Sequence, residues 1–198
     1  MKQLTNDDFK AAADKLGCEP EVIQAVAEVE STGDGFLTNG DVKILFEPHL
    51  FWRNLASEGF KLISIQTLSK SNPDILYKDW KAGAYGKMSE QWDRIKRAIA
   101  IEEEAALLSA SYGKFQILGS NYATCGYDSV QDYVNDMKTG EAAHLNAFVH
   151  FILSNKWQSF LQKKDWAGFA IRYNGKSYAV NHYDTKMQQA YNVLKRNN

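Results

Sequence analysis

Glu30 lies at the predicted end of a helix that is followed by a glycine-rich turn, where its carboxyl group could be shielded from water. The spacing of apolar residues over 22–29 predicts an amphipathic helix. Glu30 falls on its apolar side, four residues after Val26 and seven after Ile23. Because burial disfavours the charged form, we expect a raised pKa, as a general acid near neutral pH requires. A helix-end acid that binds a local backbone amide is the alternative interpretation.

A second acid, Glu47, follows the apolar, β-branched residues 42–46, which predict a strand. We expect this strand to form a small hairpin with residues 35–37. Such a hairpin could face Glu47 towards Glu30, and paired carboxylates on opposite sides of a glycosidic bond are the usual equipment for sugar hydrolysis. A salt bridge from Glu47 to Arg53, or a cap on the helix that follows, is the alternative.

Around these acids the chain predicts a mostly helical α+β fold with one small antiparallel sheet. Thr5 and the acid three residues later resemble a capping box, which opens the first helix. Residues 60–88 lack a clear period and predict an irregular lobe or long loop. Helices are expected to end at residue 16 and to cover residues 20–30, 49–58, 89–100, 101–109, 129–137, 141–154, 156–163, 165–173 and 178–195.

Size, charge and cysteine content limit the classes of protein. The 198 residues, 44% of them hydrophobic, suit one globular domain. A net charge of −1 gives no reason to expect nucleic acid as a partner, and no apolar run is long enough to span a membrane. The N-terminus does not resemble a signal peptide. Cys18 and Cys125 are expected to be free thiols, although one disulfide is possible.

Several polar and aromatic side chains could line a groove, since the chain is 13% aromatic and flat rings stack on sugars. Gln116 offers an amide to an N-acetyl group or hydroxyl, or else serves the backbone. Tyr173 could bind Glu30 or a sugar, or pack in the core, and Asn174 lies beside it. Candidates for the groove wall are Tyr112 and His49.

Two other kinds of site are not expected. The histidines at 144, 150 and 182 lack the spacing of a metal site, so we predict no metal and no cofactor. Ser31 follows Glu30, but no histidine and aspartate partners are evident, which argues against a nucleophilic triad.

Four segments resemble, in the same order, the N-acetylmuramidase family of bacteriophage and prophage endolysins. The likeness runs from about residue 10 to the C-terminus, and parts of it are also similar to goose-type lysozymes and lytic transglycosylases of the lysozyme superfamily. The four segments are Glu30-Ser31, residues 44–51 (ILFEPHLF), residues 105–117 (AALLSASYGKFQI) and residues 172–175 (RYNG).

The resemblance implies a lysozyme-like fold, in which a groove separates a helical lobe from a small β-hairpin lobe at about residues 33–48. It implies cleavage of the β-1,4 bond between N-acetylmuramic acid and N-acetylglucosamine in peptidoglycan. Glu30 would be the general acid and Glu47 the second carboxylate. Residues 1–198 would form one catalytic domain without a wall-binding domain. The side chains expected to contact the glycan are Gln116, Tyr173, Asn174, Tyr112 and His49.

The resemblance also implies a setting. Because the N-terminus does not resemble a signal peptide, we expect the protein to stay in the host cytoplasm until a holin pore releases it to the wall. We also expect it to be a monomer. Two alternatives remain open. A lytic transglycosylase would use the same acid but let the substrate's own 6-hydroxyl attack, leaving an anhydro sugar. A non-catalytic domain would bind glycan without releasing reducing ends.

Overall fold

The computed structural model describes residues 3–31 and 33–197, apart from the side chains of Ser31 and Ser177. Helices dominate these residues, as the sequence predicts. They are α1 Asn6–Leu16, α2 Pro20–Ser31, α3 Pro48–Ser57, α4 Leu62–Ser71, α5 Gln91–Ile99, α6 Glu103–Leu108, α7 Val130–Met137, α8 Glu141–Ser154, α9 Gln158–Lys163, α10 Trp166–Tyr173 and α11 Tyr183–Asn197. Short 3₁₀ turns cover Met88–Glu90, Gly119–Asn121 and Lys176–Ala179.

Local signals set the bounds of the first two helices. Thr5 and Asp8 form a reciprocal capping box at the start of α1, and Gly17, at φ +68°, ends it in the left-handed conformation. Pro20 is the first residue of α2, where its missing N–H is not needed. Helix α2 then packs between α1 and α11, so the segment that ends near Glu30 is held on two sides.

Three short strands form one antiparallel sheet with β2 (Ala110–Tyr112) in the centre. Strand β1 (Ile44–Phe46) pairs along one edge of β2, and β3 (Ile117–Leu118) pairs along the other. The expected hairpin is present only at the start of the predicted strand: residues 35–37 pair with residues 41–43 through the Phe36–Val42 bridge and two backbone hydrogen bonds, from Leu37 to Asp41 and from Lys43 to Gly35, whereas β1 itself pairs with β2. Val42, Ile44 and Phe46 are buried at alternate positions, and β2 pairs with all of Ile44–Phe46.

Two other expectations need correction. Within the segment expected to be irregular, Leu62–Ser71 forms α4. Its Leu62 and Ile63 are 59% and 67% exposed while Ile65 is buried, so its apolar residues do not all lie on the buried face and the helical period is hidden. Helix α11 begins at Tyr183 instead of residue 178, because a 3₁₀ turn precedes it.

An aromatic cluster in the core joins the β2–β3 turn to α10. The ring of Phe148, on α8, stacks on Phe115 at 4.5 Å and meets Phe169 and Tyr173 edge-on. Aromatic rings contribute large buried areas and prefer such offset or edge contacts. The cluster therefore keeps the β2–β3 turn and the end of α10 in fixed positions relative to each other.

Cys18 and Cys125 are both free, as expected. Among the described residues, no cluster of three or more histidine, cysteine, aspartate or glutamate side chains is arranged to hold a metal ion. No helix within the described part of the chain has the length and apolar character needed to cross a bilayer.

Candidate active site

Glu30 is partly buried near the end of α2. Burial raises the pKa of Glu30 to about 7, and a hydrogen bond from Asn174 acts in the opposite direction. The expected direction of this shift is confirmed. The charge of Glu30 also contributes to the raised pKa values of Tyr173 and Tyr183, after the larger effect of burial, so both phenols lie close to it. Glu30 is thus a carboxyl group whose pKa is raised towards neutral pH.

Asn174 is the polar partner of Glu30. It follows the last residue of α10, where its backbone N–H still donates to the Ala170 carbonyl at 2.8 Å. Its side-chain Nδ2 donates to Oε1 of Glu30 at 2.8 Å. Because the amide occupies Oε1, Oε2 is left as the oxygen that can carry a proton.

The Tyr173 hydroxyl binds a backbone carbonyl and not Glu30, which was one of its expected partners. Its hydroxyl donates to the Phe115 carbonyl at 2.8 Å, and its ring stacks on Phe169 at 5.4 Å. Tyr173 therefore ties the end of α10 to the β2–β3 turn, while its neighbour Asn174 binds the acid.

The β2–β3 turn carries Gln116 in an unusual backbone conformation. Gly113 and Gln116 have φ values of +70° and +48°, which glycine adopts freely and glutamine rarely. The Gln116 Nε2 group donates to the Gly113 carbonyl at 2.8 Å and to the Lys43 carbonyl at 3.3 Å. Its two amide hydrogens therefore serve the backbone, and only its Oε1 is left for a ligand.

A buried ion pair anchors the turn to the segment that follows α2. Glu141, on α8, accepts from the Gly35 N–H at 2.7 Å and from Lys114 Nζ at 3.2 Å. Lys114 also donates to the Gly33 carbonyl at 3.3 Å. Burial alone would raise the pKa of Glu141, but these donors hold it below its usual value. The pair therefore stays charged and joins the two loops.

His144, which also lies on α8, packs between the β2–β3 turn and the segment that follows α2. Its Nδ1 accepts from the Lys114 backbone N–H at 3.1 Å, and its Nε2 lies 2.7 Å from the Met137 carbonyl, to which it must donate. A Cβ atom at Gly35 or Gly113 would fall within 2.8 Å of the ring. Burial lowers the pKa of His144. A neutral imidazole therefore fits between two glycines.

Glu47 lies between β1 and α3 in different surroundings. Its side chain is 21% exposed and makes no hydrogen bond that caps α3. The Tyr85 hydroxyl donates to Glu47 Oε2 at 3.1 Å and accepts from the Trp80 indole at 2.7 Å. No ion pair between Glu47 and Arg53 occurs among the described residues. Neither structural alternative for Glu47 is therefore found.

The structure places the two expected wall residues largely inside the protein. His49 is 8% exposed, its Nε2 lies 3.9 Å from Glu47 Oε2, and burial lowers its pKa. Tyr112 is buried in β2, where its hydroxyl donates to the Leu107 carbonyl at 3.0 Å and its ring meets Tyr133 edge-on. His49 thus remains beside the second acid, whereas Tyr112 belongs to the core and is not brought to the site.

Glu30 and Glu47 are positioned by separate sets of contacts. Glu30 connects through Asn174 and Tyr173 to the β2–β3 turn, which touches Lys43 just before β1. Glu47 follows the other end of β1, about 13 Å from Lys43 at the usual rise of a strand. The charge of Glu47 is not among the causes of the raised pKa of Glu30. The two carboxyl groups are therefore not in direct contact.

Sequence reasoning missed the residues that support the site. Trp80 and Tyr85 stand in the irregular segment, where their aromatic character was the available signal. Glu141 and Lys114 carried no local signal, because their pairing depends on the approach of α8 to a distant turn.

Comparisons with known proteins show what this chain is similar to. The family model described as N-acetylmuramidase matches residues 19–195. A solved structure, that of the Burkholderia AP3 phage endolysin, is similar to this chain with a TM-score of 0.88 and 38% sequence identity, over 98% of this chain and 72% of that one. No match was found among curated proteins.

Proposed function

The chain belongs to the N-acetylmuramidase family and is a glycoside hydrolase that acts on peptidoglycan; we propose that it cleaves the β-1,4 bond between N-acetylmuramic acid and N-acetylglucosamine with Glu30 as general acid. The observation that carries the assignment is the raised pKa of Glu30, about 7, in a partly buried helix end. An acid with such a pKa holds a proton at neutral pH and can still release it.

In the proposed first step, Glu30 donates its proton to the glycosidic oxygen as the bond breaks. The hydrogen bond from Asn174 to Oε1 supports a fixed orientation in which Oε2 carries the proton. That same bond stabilises the carboxylate left behind, because an amide donor favours the charged form. Asn174 would therefore control both the direction and the strength of the acid.

Glu47 is proposed as the second carboxylate. The Tyr85 hydroxyl donates a hydrogen bond to Oε2, and burial lowers the pKa of the nearby His49, so His49 does not supply a cation beside Glu47. As an anion it would stabilise the positive charge on the sugar or activate a water. Carboxyl groups about 6.5–9.5 Å apart leave room for that water and invert the anomeric centre. Carboxyl groups about 5–5.5 Å apart would instead let Glu47 act as the nucleophile and retain the anomeric configuration.

The remaining proposed contacts are fewer than the sequence suggested. The free Oε1 of Gln116 would accept a hydrogen bond from an N-acetyl N–H or a sugar hydroxyl. Tyr173 would act indirectly by holding the turn that carries Gln116. We further propose one catalytic domain, a monomeric state, and an endolysin role in which a holin pore gives access to the wall.

Analysis of the digestion products tests the proposal. Purified peptidoglycan is digested, and the soluble muropeptides are measured by mass spectrometry. Hydrolysis should give fragments with reducing N-acetylmuramic acid ends. Fragments lighter by one water would identify a lytic transglycosylase, which needs only Glu30 as its acid. Proton NMR of fresh products would show the α-anomer if the reaction inverts. Intact glycan strands would reject both enzymes.

A further inference from the structure

Trp80 is an exposed aromatic residue whose orientation is nevertheless restrained. It lies in the segment between α4 and α5, and 59% of its surface is open to solvent. Its indole N–H donates to the Tyr85 hydroxyl at 2.7 Å. A single exposed apolar side chain needs no explanation by itself. An exposed ring whose one polar atom is already bound to a partly buried tyrosine is more specific, because that bond limits how the ring can turn.

Tyr85 is in turn fixed to the end of β1. Its backbone carbonyl accepts from the side chains of Gln91 and Arg94, both buried on α5. The Gln91 Oε1 accepts from the backbone N–H of Phe46, the residue before Glu47. One buried glutamine thus contacts both the loop that carries Tyr85 and the strand that carries the acid, so the position of the loop is set relative to Glu47.

The hydrogen bonds around Tyr85 leave a defined set of groups for a ligand. The indole proton of Trp80 is used by Tyr85, and the Tyr85 proton is used by Glu47 Oε2. Burial raises the pKa of Tyr85 to about 12, so this hydroxyl keeps its proton. What remains is a flat ring face on Trp80 and the second carboxylate oxygen of Glu47. A ring face attracts C–H groups, and a carboxylate oxygen accepts O–H or N–H.

A pyranose of the peptidoglycan glycan has both complementary features, a face of C–H groups and hydroxyl or amide donors at its rim. We propose that Trp80 is the stacking platform for the N-acetylhexosamine unit that binds beside Glu47, and that Tyr85 is a positioning residue linking platform and acid. This inference rests on the proposed function of Glu47. It assigns a binding role to a segment that sequence patterns describe only as irregular.

Steady-state kinetics on soluble peptidoglycan glycan fragments test the platform. Trp80→Ala should raise KM about tenfold and leave kcat within about twofold, because stacking holds the substrate without taking part in proton transfer. Trp80→Phe should recover most of the affinity, since it keeps a ring but not the indole N–H. Ile63→Ala is the matched control, as Ile63 on α4 is also an exposed apolar residue, with 67% of its surface open to solvent. An unchanged KM in Trp80→Ala, or an equal rise in Ile63→Ala, would overturn the proposal.

A binding measurement separates this inference from the assignment of the acids. In a Glu30→Gln background, calorimetry with a β-1,4-linked N-acetylglucosamine hexamer should show binding about tenfold weaker once Trp80→Ala is added. If the added change leaves hexamer binding unaltered, the platform is rejected even when Glu30 and Glu47 prove essential. If Glu30→Gln proves fully lytic, the acid assignment fails, whereas weaker binding by Trp80→Ala still supports the platform.

Discussion

The surroundings of Glu30 and of Glu47 differ in a way that assigns them different chemistry. Glu30 lies near the end of a helix packed between α1 and α11, its charge contributes to the raised pKa values of two phenols, and its bound amide only partly offsets the cost of burial. Glu47 lies at a strand end, has a side chain that is 21% exposed, and accepts a hydrogen bond from a phenol. The same side chain is thus suited to give a proton at one place, and at the other it accepts a hydrogen bond from a phenol.

The comparison also shows how each environment is stabilised. The Glu30 region depends on long-range contacts among α2, α10, the β2–β3 turn and the buried Glu141–Lys114 pair. The Glu47 region depends on one loop, held by Gln91 and Arg94. Changes near Glu30 should therefore alter both proton affinity and geometry, whereas changes near Glu47 should act mainly on charge and substrate contact.

The largest expected effect comes from Glu30→Gln. Glutamine keeps the acceptor for Asn174 but cannot give a proton, so wall lysis should fall by about a thousandfold or more. Turbidity loss of purified cell walls measures it. Glu28→Gln is the matched control, because Glu28 is exposed two residues earlier on the same helix and should retain full activity. Substantial lysis by Glu30→Gln would remove Glu30 from the mechanism.

The stability of Glu30→Gln checks the cause of that loss. The folded pKa of Glu30 lies above its ordinary value of 4.5, so the native state binds more protons than the unfolded state between pH 4.5 and 7. Stability of the wild type should therefore fall across that range, by about 3 kcal/mol at most. Glutamine avoids this cost, so the variant should match the wild type near pH 4 and melt at a higher temperature at pH 8. A lower melting temperature at pH 8 would contradict the burial of this acid.

A smaller loss is expected from Glu47→Gln, about tenfold to a hundredfold in kcat with little change in melting temperature. The charge at Glu47 would assist a step that Glu30 initiates, so its removal should cost less. Glu58→Gln is the control, as Glu58 is an exposed acid at the other end of α3. If Glu47→Gln melts far earlier while its folded fraction keeps full activity, Glu47 is a structural acid and the contrast between the two regions loses its meaning.

Asn174→Ala should give the smallest effect and the most specific one. Removing the amide takes away a hydrogen bond that favours the charged form, so the pKa of Glu30 should rise above about 7. The alkaline limb of the kcat/KM profile should move to higher pH by up to about one unit, with a several-fold loss at the optimum. Asn181→Ala, at an exposed asparagine beyond the same helix, is the control. A limb that stays in place would show that Asn174 does not tune the acid.

Much of the scaffold around Glu30 could be predicted, because the signals are local. The capping box at Thr5, the proline that opens α2 and the apolar spacing before Glu30 each act within a turn or two of helix. Helix α4 was missed because this local signal is misleading there: Leu62 and Ile63 are apolar but exposed, so the apolar spacing does not follow the buried face of the helix.

Contacts between distant segments were outside the reach of such signals. Asn174 meets Glu30 across 144 residues, and no spacing in either segment favours Asn174 over its neighbour Tyr173 as the partner. In the same way β1 pairs with β2 and not with the nearer segment, because the match along the full strand is only apparent once the core has formed.

The sequence by itself determined that an acid would end an amphipathic helix on its apolar side, and the order of four segments pointed to the muramidase family. Tertiary structure alone decided which amide holds that acid, which tyrosine binds the second one and that Tyr112 is enclosed in the core. The physical reason is that helix periodicity and capping are properties of neighbouring residues, whereas desolvation and hydrogen-bond partners depend on which distant surfaces the folded core brings together.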